Sequence, residues 1–391
     1  MTDWGDINWP ALEKLRASFL SGAPGGLDYW QDETQLASYD ATFAQRIGWK
    51  WDYVLAELTR RGWTPQGGDS LDWGCGSGIA SRAFLDHFGT DSVSKLHLWD
   101  RSPLAMSFAM KRAREKYPGL EVITGSFPET LPPHPDPLPR GEGTAIVCSP
   151  LSINQLATAG VPTQRRKTKS GADASPSPGG EGRGEGGPRN TILLISHVLT
   201  ELAPEQIEAL VRFAANATSV LWVEPGTYDA SLTLIAIREK LRERFNVIAP
   251  CTHQTRCGIL APDNERHWCH HFASPPPGVF TDGNWSRFAN MLGIDLCDLP
   301  LSFLVLDKRS APALPPGATR IVGHPRIYKP HALLLGCDEN GVNERRLTKR
   351  ALPDEFKRLK KGGCDPLQIW KCEGEEIVSA VPLPEFRGGR P

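Results

Sequence analysis

Along the chain, short apolar runs alternate with longer stretches in which apolar residues recur every three or four positions. The short runs, SLDWG (70–74), KLHLWD (95–100), LEVITG (120–125), TILLISH (191–197) and SVLWVEP (219–225), have the length and content of buried strands. Between them GIASRAFLDHF, SPLAMSFAMKRAREKY, PEQIEALVRFAANA and ASLTLIAIREKLRERF predict helices, two of them opened by capping or proline signals at Ser102 and Pro204. Strands alternating with helices predict an α/β fold. The first 65 residues predict helices alone, as a cap or partner-facing bundle. From residue 246 the alternation stops, and SFLVLDK (302–308) and HALLLGC (331–337) read as strands of a separate module. The expected division is therefore 1–65, 66–245 and 246–391.

Composition changes this picture in one place. The chain has 38 Gly and 34 Pro, and ten of each fall within 131–190, between the third and fourth strands. Such a segment buries too little apolar surface to offset its ordering entropy, so it predicts a disordered insertion. It reads either as a binding or regulatory tail or as an insertion the fold tolerates at a surface loop. With 44 Lys plus Arg against 45 Asp plus Glu the chain is near neutral, which excludes an overall basic arm or acidic tail. No run reaches the roughly 18 apolar residues of a membrane span. The start, MTDWGDINWP, resembles neither a signal peptide nor an amphipathic presequence. Nine cysteines without an export signal suit a reducing compartment, where thiols are free, catalytic or metal-bound. The expectation is a soluble cytoplasmic protein without a membrane partner.

The strongest motif is LDWGCGSG (71–78), where a strand gives way to a helix. Gly74 and Gly76 allow a sharp turn and close approach of a ligand, and Gly78 allows close helix packing. The third glycine comes one residue sooner than in the dinucleotide fingerprint. The motif resembles motif I of the class I S-adenosylmethionine-dependent methyltransferases. That resemblance implies a Rossmann-like sheet, with Asp72 near the cofactor's methionine amino group. It further implies Asp100, ending the second strand, on the ribose, and Gly125 and Ser126 near the adenine. After the fourth strand, SHVLTEL (196–202) lacks the Asn-Pro-Pro-aromatic pattern of amino methyltransferases. His197 is the candidate general base with Glu201 assisting; the alternative is a histidine satisfied by neighbouring backbone. Glu224 in VEPGT (223–227) is a candidate rim group.

CTHQTRCGILAPDNERHWCHHF (251–272) gathers Cys251, Cys257 and Cys269 without a C-x-x-C pair. This spacing weakens a zinc knuckle and leaves room for an iron-sulfur cluster, which needs a fourth ligand. Zinc on three cysteines and one of His253, His267, His270 or His271 stays open, as do unliganded thiols. VEPGT, the Ala-Pro-Cys loop, WCHHF, SFLVLDK, and GHPRIYKPHALLLGC followed by RRLTKR together resemble the methyltransferase-like small-ribosomal-subunit assembly factors. The resemblance covers most of the region from the fifth strand to about residue 361. It implies a [4Fe-4S] cluster on Cys251, Cys257, Cys269 and Cys337, and partners in the small ribosomal subunit and its 16S rRNA.

Residues 308–361 carry thirteen Lys plus Arg against five Asp plus Glu, the footprint of a phosphate-backbone binder. Arg320, Arg326 and Lys329 flank Tyr328, and Arg345, Arg346, Lys349 and Arg350 are expected on a helical basic face toward RNA. Whether the chain transfers methyl groups to rRNA or a small molecule, or only binds, is left open by these residues.

Overall fold

The computed structural model describes residues 4–21, 30–125 and 190–384. The Gly/Pro-rich insertion expected over 131–190 lies outside the described residues but for Asn190, as does Ser126.

The apolar runs form one eight-stranded sheet. Its strands are β1 (Asp69–Trp73), β2 (Lys95–Trp99), β3 (Glu121–Thr124), β4 (Thr191–Ser196), β5 (Ser219–Pro225), β6 (Asn246–Ala249), β7 (His271–Ala273) and β8 (Leu299–Asp307). The order is β3-β2-β1-β4-β5-β8-β6, with β7 on a separate stretch of β8. Strands β1 to β5 are parallel, whereas β8 runs antiparallel to both β5 and β6. Buried on both faces by helices, β1 and most of β5 read as unbroken buried runs, as parallel strands must. The chain winds from β1 out to β3 and crosses back to β4, so a crevice opens beyond the carboxyl ends of β1 and β4. This is the class I methyltransferase-like, Rossmann-like sheet expected from the glycine motif.

The amphipathic segments form α1 (Trp9–Ser21), α2 (Glu33–Ala41), α3 (Phe43–Arg60), α4 (Ile79–Phe88), α5 (Pro103–Lys116), α6 (Pro204–Ala214), α7 (Tyr228–Leu241) and α8 (Gly283–Leu292). Ser102 caps α5 by accepting from the Ala105 amide at 3.4 Å, and Pro204 opens α6. The N-terminal helices do not stand apart. Leu12, Leu15, Leu36 and Phe43 share a core with Trp285, Phe288 and Leu292 of α8. None of the described helices is long and apolar enough to cross a membrane.

Two expectations are corrected. The sheet does not stop at residue 245, because β6, β7 and β8 complete it. The regular alternation ends there because β6 pairs with β8, an antiparallel strand from 50 positions further on, with the cysteine loop, β7 and α8 between them. Nor is the basic stretch a tail. It folds into a closed barrel of β9 (Ala318–Ile327), β10 (His331–Asp338), β11 (Gly341–Thr348), β12 (Leu367–Glu373) and β13 (Glu376–Pro382), with α9 (Pro353–Lys360) between β11 and β12. The order β9-β10-β11-β13-β12-β9, with β11 and β13 parallel and the helix bridging third and fourth strands, is that of the OB-fold. Ile321, Leu334, Leu347, Trp370 and Ile377 fill the barrel, and Phe356 and Leu359 of α9 pack against them. Gly336 is required here, since a Cβ would lie 2.5 Å from the Trp370 ring.

Barrel and sheet meet on α3. Glu57, buried, takes an ion pair from Arg61 at 2.9 Å and another from the fully buried Arg320 of β9. Arg61 also donates to the carbonyls of Ile248, Pro250 and Cys251 at 2.7–2.8 Å, and Arg320 Nε donates to Pro250 O at 3.3 Å. Breaking a buried pair leaves an uncompensated charge, so Glu57→Leu is expected to lower the unfolding free energy by about 3–5 kcal/mol in urea denaturation. An unchanged transition midpoint would show that this contact does not hold the barrel to the sheet.

Candidate functional site

Between β1 and α4 the chain turns through Gly74, Gly76 and Gly78, all at positive φ (71°, 52° and 77°). The Gly74 and Cys75 amides donate to the Trp99 carbonyl at 2.8 and 3.0 Å, tying the turn to β2. A Cβ on Gly74 would lie 2.9 Å from Val198, and one on Gly78 3.0 Å from the Ala109 Cβ of α5. At Gly76 a Cβ would meet nothing within 4 Å, so this glycine leaves open space over the turn. That space is walled by the stacked rings of Trp73 and Trp99, 4.9 Å apart, by Ser77 and Asp100, and by Ser196 and His197 after β4. The buried Trp73 Nε1 and Ser77 Oγ of this wall have no hydrogen-bond partner among the described residues.

Asp100 lies on the wall, its two oxygens accepting from the amides of Gly76 and Ser102, each at 2.9 Å. Asp72 does not. It is fully buried beneath the turn, where it accepts from the Ser81 amide at 3.1 Å and braces the first turn of α4. Burial pushes its carboxyl up to about 6, and its Oδ1 has no hydrogen-bond partner among the described residues. Gly125 closes β3 at φ 124°.

The wall has members that the motif did not disclose. Trp30 and Tyr39 line it from the N-terminal region. Arg82 of α4 ties that region to the turn, donating to Ser77 O at 2.6 Å while pairing with the buried Asp40. Beside the wall, Lys50 Nζ lies 3.2 Å from His197 Nε2; His197 Nδ1 lies 3.3 Å from Ser196 Oγ, which accepts from Trp51 Nε1 at 3.0 Å. This chain fits a neutral imidazole protonated on Nδ1, with Lys50 donating to Nε2. Burial, then the cations Lys50 and Arg46, hold the His197 pKa well below its ordinary value. The general-base role expected of His197 is thereby weakened, because its acceptor nitrogen is already bonded. Its φ of 56°, the one positive value among described non-glycine residues, turns its ring to this position. Glu201 sits on the exposed rim.

Glu224 is not a rim group. Its buried carboxylate accepts from Val198 N at 3.1 Å, Leu199 N at 3.3 Å and Trp222 Nε1 at 2.7 Å, bracketing the turn after His197. Burial raises its pKa to about 7.

The fold brings Cys251, Cys257, Cys269 and Cys337 to one place, at the junction of α7, the loop after β6, and β10. Cys257 and Cys337 share a small core with Ile235 and Val342, with Cys269 packed against it. Burial, then the neighbouring cysteines, raises the Cys257 thiol to about 12 and those of Cys269 and Cys337 well above the usual range. Three guanidiniums surround them. Arg238 Nε donates to Cys251 Sγ at 3.3 Å, Arg61 holds the Cys251 carbonyl, and Arg320 acts electrostatically on Cys269. Two of the histidines kept open as zinc ligands are alongside, His253 Nε2 3.6 Å from Cys337 Sγ and His271 Nε2 3.6 Å from Cys269 Sγ. Among the described residues no group of three or more His, Cys, Asp or Glu is set to hold a metal ion as it stands.

The basic residues divide. Arg320 is a correction: at 1% exposure and paired with Glu57, it has no surface to offer RNA. Arg326, Tyr328, Lys329, Arg346, Lys349 and Arg350 are exposed. Arg326 pairs with Glu344, and Arg345, half-buried, donates to Gly374 O at 3.0 Å. The helical face expected for 345–350 is strand β11 and the turn after it, because alternating residues there point in and out of the barrel.

Residues 188–364 match the family model described as mitochondrial small ribosomal subunit Rsm22. The family resemblance read from the sequence holds. The Rsm22 match begins just before β4, spans all four cysteines and ends beyond α9, leaving the glycine turn outside it. No curated protein matches the chain. Similar solved structures include a putative RNA methyltransferase of Pyrococcus horikoshii, at 10% identity, 76% of this chain, 96% of that one and TM-score 0.31. The putative methyltransferase complexed with the Trm112 activator of Haloferax volcanii gives 13%, 72%, 96% and 0.33. TrmK of M. capricolum with S-adenosylhomocysteine gives 7%, 66%, 69% and 0.29.

The Lys50 amine provides a pH test. Burial, then Arg46, lowers its pKa from 10.5 to about 7, against the opposing pull of Glu224. Between these values the unfolded chain holds a proton that the folded chain does not, so stability from this group rises with pH across that window. Lys50→Met is therefore expected to raise the melting temperature more at pH 7 than at about pH 9. An equal gain at both would mean that the amine is solvated.

Proposed function

We propose that this chain binds S-adenosylmethionine on its glycine turn, carries a [4Fe-4S] cluster on Cys251, Cys257, Cys269 and Cys337, and acts in assembly or maturation of the small ribosomal subunit through its 16S rRNA. The observation that carries this reading is the Rsm22 match spanning all four cysteines, on a chain whose other half keeps an open glycine turn.

The cofactor's residues have distinct tasks. Gly76 leaves room for the ligand over the turn. Asp100, on the wall of that space, is the acceptor for the ribose hydroxyls. Trp99, stacked on Trp73, offers an apolar wall to the adenine, and Asp72 holds α4 in place from below. The bound cofactor supplies an electrophilic methyl on a sulfonium. His197, weakly basic and already bonded to Lys50, shapes one wall of the space that would hold the cofactor.

For the cluster, the donor set is chemically apt. A cubane held by four thiolates has a net negative charge and ligands on four separate irons, which spreads the sulfurs wider than around one zinc. Buried Arg61, Arg238 and Arg320 supply compensating positive charge. Cys337 lies on the barrel and the other three on the sheet side, so a bound cluster would staple the two.

Anaerobic purification should give a brown protein with about four irons and four sulfides per chain, and Cys337→Ser should lose the colour and melt at lower temperature. One zinc without sulfide would overturn the cluster assignment. In titration calorimetry S-adenosylmethionine should bind the native chain and bind Gly76→Val at least about tenfold more weakly, since a β-branched residue at positive φ is strained. Equal binding would remove the turn as the site. Incubation of the same preparation with labelled cofactor and small subunits reads methyl transfer directly.

A further inference from the structure

Residues 268–272 alternate. Cys269 and His271 face the cysteine site, whereas Trp268, His270 and Phe272 face the other way in a row of ring contacts. Trp268 stacks on His270 at 4.4 Å, and His270 meets Phe272 edge-on at 5.3 Å. The row crosses from sheet to barrel where Phe272 stacks on the exposed His324 of β9 at 3.6 Å. At its other end Tyr228, 39% exposed, meets Trp268 at 5.8 Å.

On the barrel the register continues the surface. Half of the outer face of β9, β10 and β11 is covered, since Val322, Leu335, Cys337 and Val342 pack against the cysteine loop. The other half presents the cross-strand row Arg326, Leu333, Arg346, and beyond it Tyr328, His331, Thr348. Tyr328, 46% exposed, stacks on His331 at 4.9 Å at the tip of the β9–β10 hairpin. Exposed Lys329, Lys349 and Arg350 surround the tip, while the acids along this row include Glu344, paired with Arg326, Asp298, 3.4 Å from His324, and Glu376, which accepts from Thr348 Oγ1 at 2.8 Å. The second and third strands of an OB barrel, with the loop between its first two strands, form its oligonucleotide-binding face.

We propose that this line of rings and cations is a binding track for single-stranded RNA. Bases stack on the Tyr328–His331 tip and on the Phe272–His324 step, and phosphates meet Arg326, Lys329, Arg346 and Lys349. Duplex RNA is excluded as the ligand because its bases are already stacked and offer no face to the rings. The proposal deepens the ribosomal reading and rests on it for the choice of RNA.

The test is fluorescence anisotropy of the full chain with a labelled oligouridine of about twelve nucleotides and with a hairpin duplex of similar length. The single strand should bind at least about tenfold tighter, and Tyr328→Ala with His331→Ala should weaken it by about tenfold. Because both rings lie at an exposed tip, the melting profile of this double variant should not change. Lys329→Ala with Lys349→Ala should flatten the salt dependence by about 0.7 logarithmic units for each phosphate no longer neutralised. Equal or tighter duplex binding, or single-strand binding unmoved by the ring substitutions, overturns the track.

Co-sedimentation of the same proteins with purified small subunits separates this from the functional reading. Subunit binding without single-strand binding leaves the ribosomal role standing and removes the track. Single-strand binding without subunit binding does the reverse. Subunit binding lost on ring substitution, with no affinity for the oligonucleotide, would make the line a protein-docking surface and overturn the RNA assignment.

Discussion

Glu57 is one carboxylate shared by two guanidiniums inside the protein, and much of the arrangement depends on it. Two buried cations against one anion leave an excess positive charge in a region with little water to screen it. Arg61 disperses part of that charge over the carbonyls of 248, 250 and 251, which fixes the loop carrying Cys251. Arg320 brings β9, and with it the barrel, against the same loop. The remaining positive field falls on the cysteines, where anionic ligands would be stabilised. Helix α3 and the residue that caps it thus connect three things at once: the crevice through Lys50 and Trp51, the cysteine site through Arg61, and the barrel through Glu57.

Strand β8 performs the complementary task within the sheet. Running antiparallel between β5 and β6, it pairs also with β7, which together with the residues just before it carries Cys269 inward and Trp268 and Phe272 outward. Gly226 lets β5 approach it closely, since a Cβ there would lie 2.7 Å from the Leu301 amide. One short strand therefore places a cysteine on one side and a ring surface on the other. The pleat's period of two enforces that division.

Some of the site was legible because its chemistry is local. The three positive φ values of the glycine turn are required within five residues, so spacing alone points to them. The four cysteines were legible through resemblance, and the fold brings them close enough to act electrostatically on one another although 86 positions separate the first from the last. A further signal was present in α3, where Lys50, Glu57 and Arg61, seven and four positions apart, fall on the stripe of Ile47, Trp51, Val54 and Leu58. Charges on an apolar face must find buried partners, and each of these does. The barrel was hidden because a small barrel needs few inward residues per strand: GVNERRLT carries its inward Leu347 among charges and reads as a basic run.

What the sequence by itself determined was the order of the α/β elements, the glycine turn and the candidate cysteine ligands, each a matter of residues close together or of a matched pattern. Tertiary structure alone decided which arginine does what. Arg320 and Arg326 lie six positions apart in one basic stretch, yet the first is buried against Glu57, 263 positions earlier, and the second is exposed beside Tyr328. A charge count weighs both alike. The cost of burying an ion is met only by a specific partner in space, and that partner is brought by the fold.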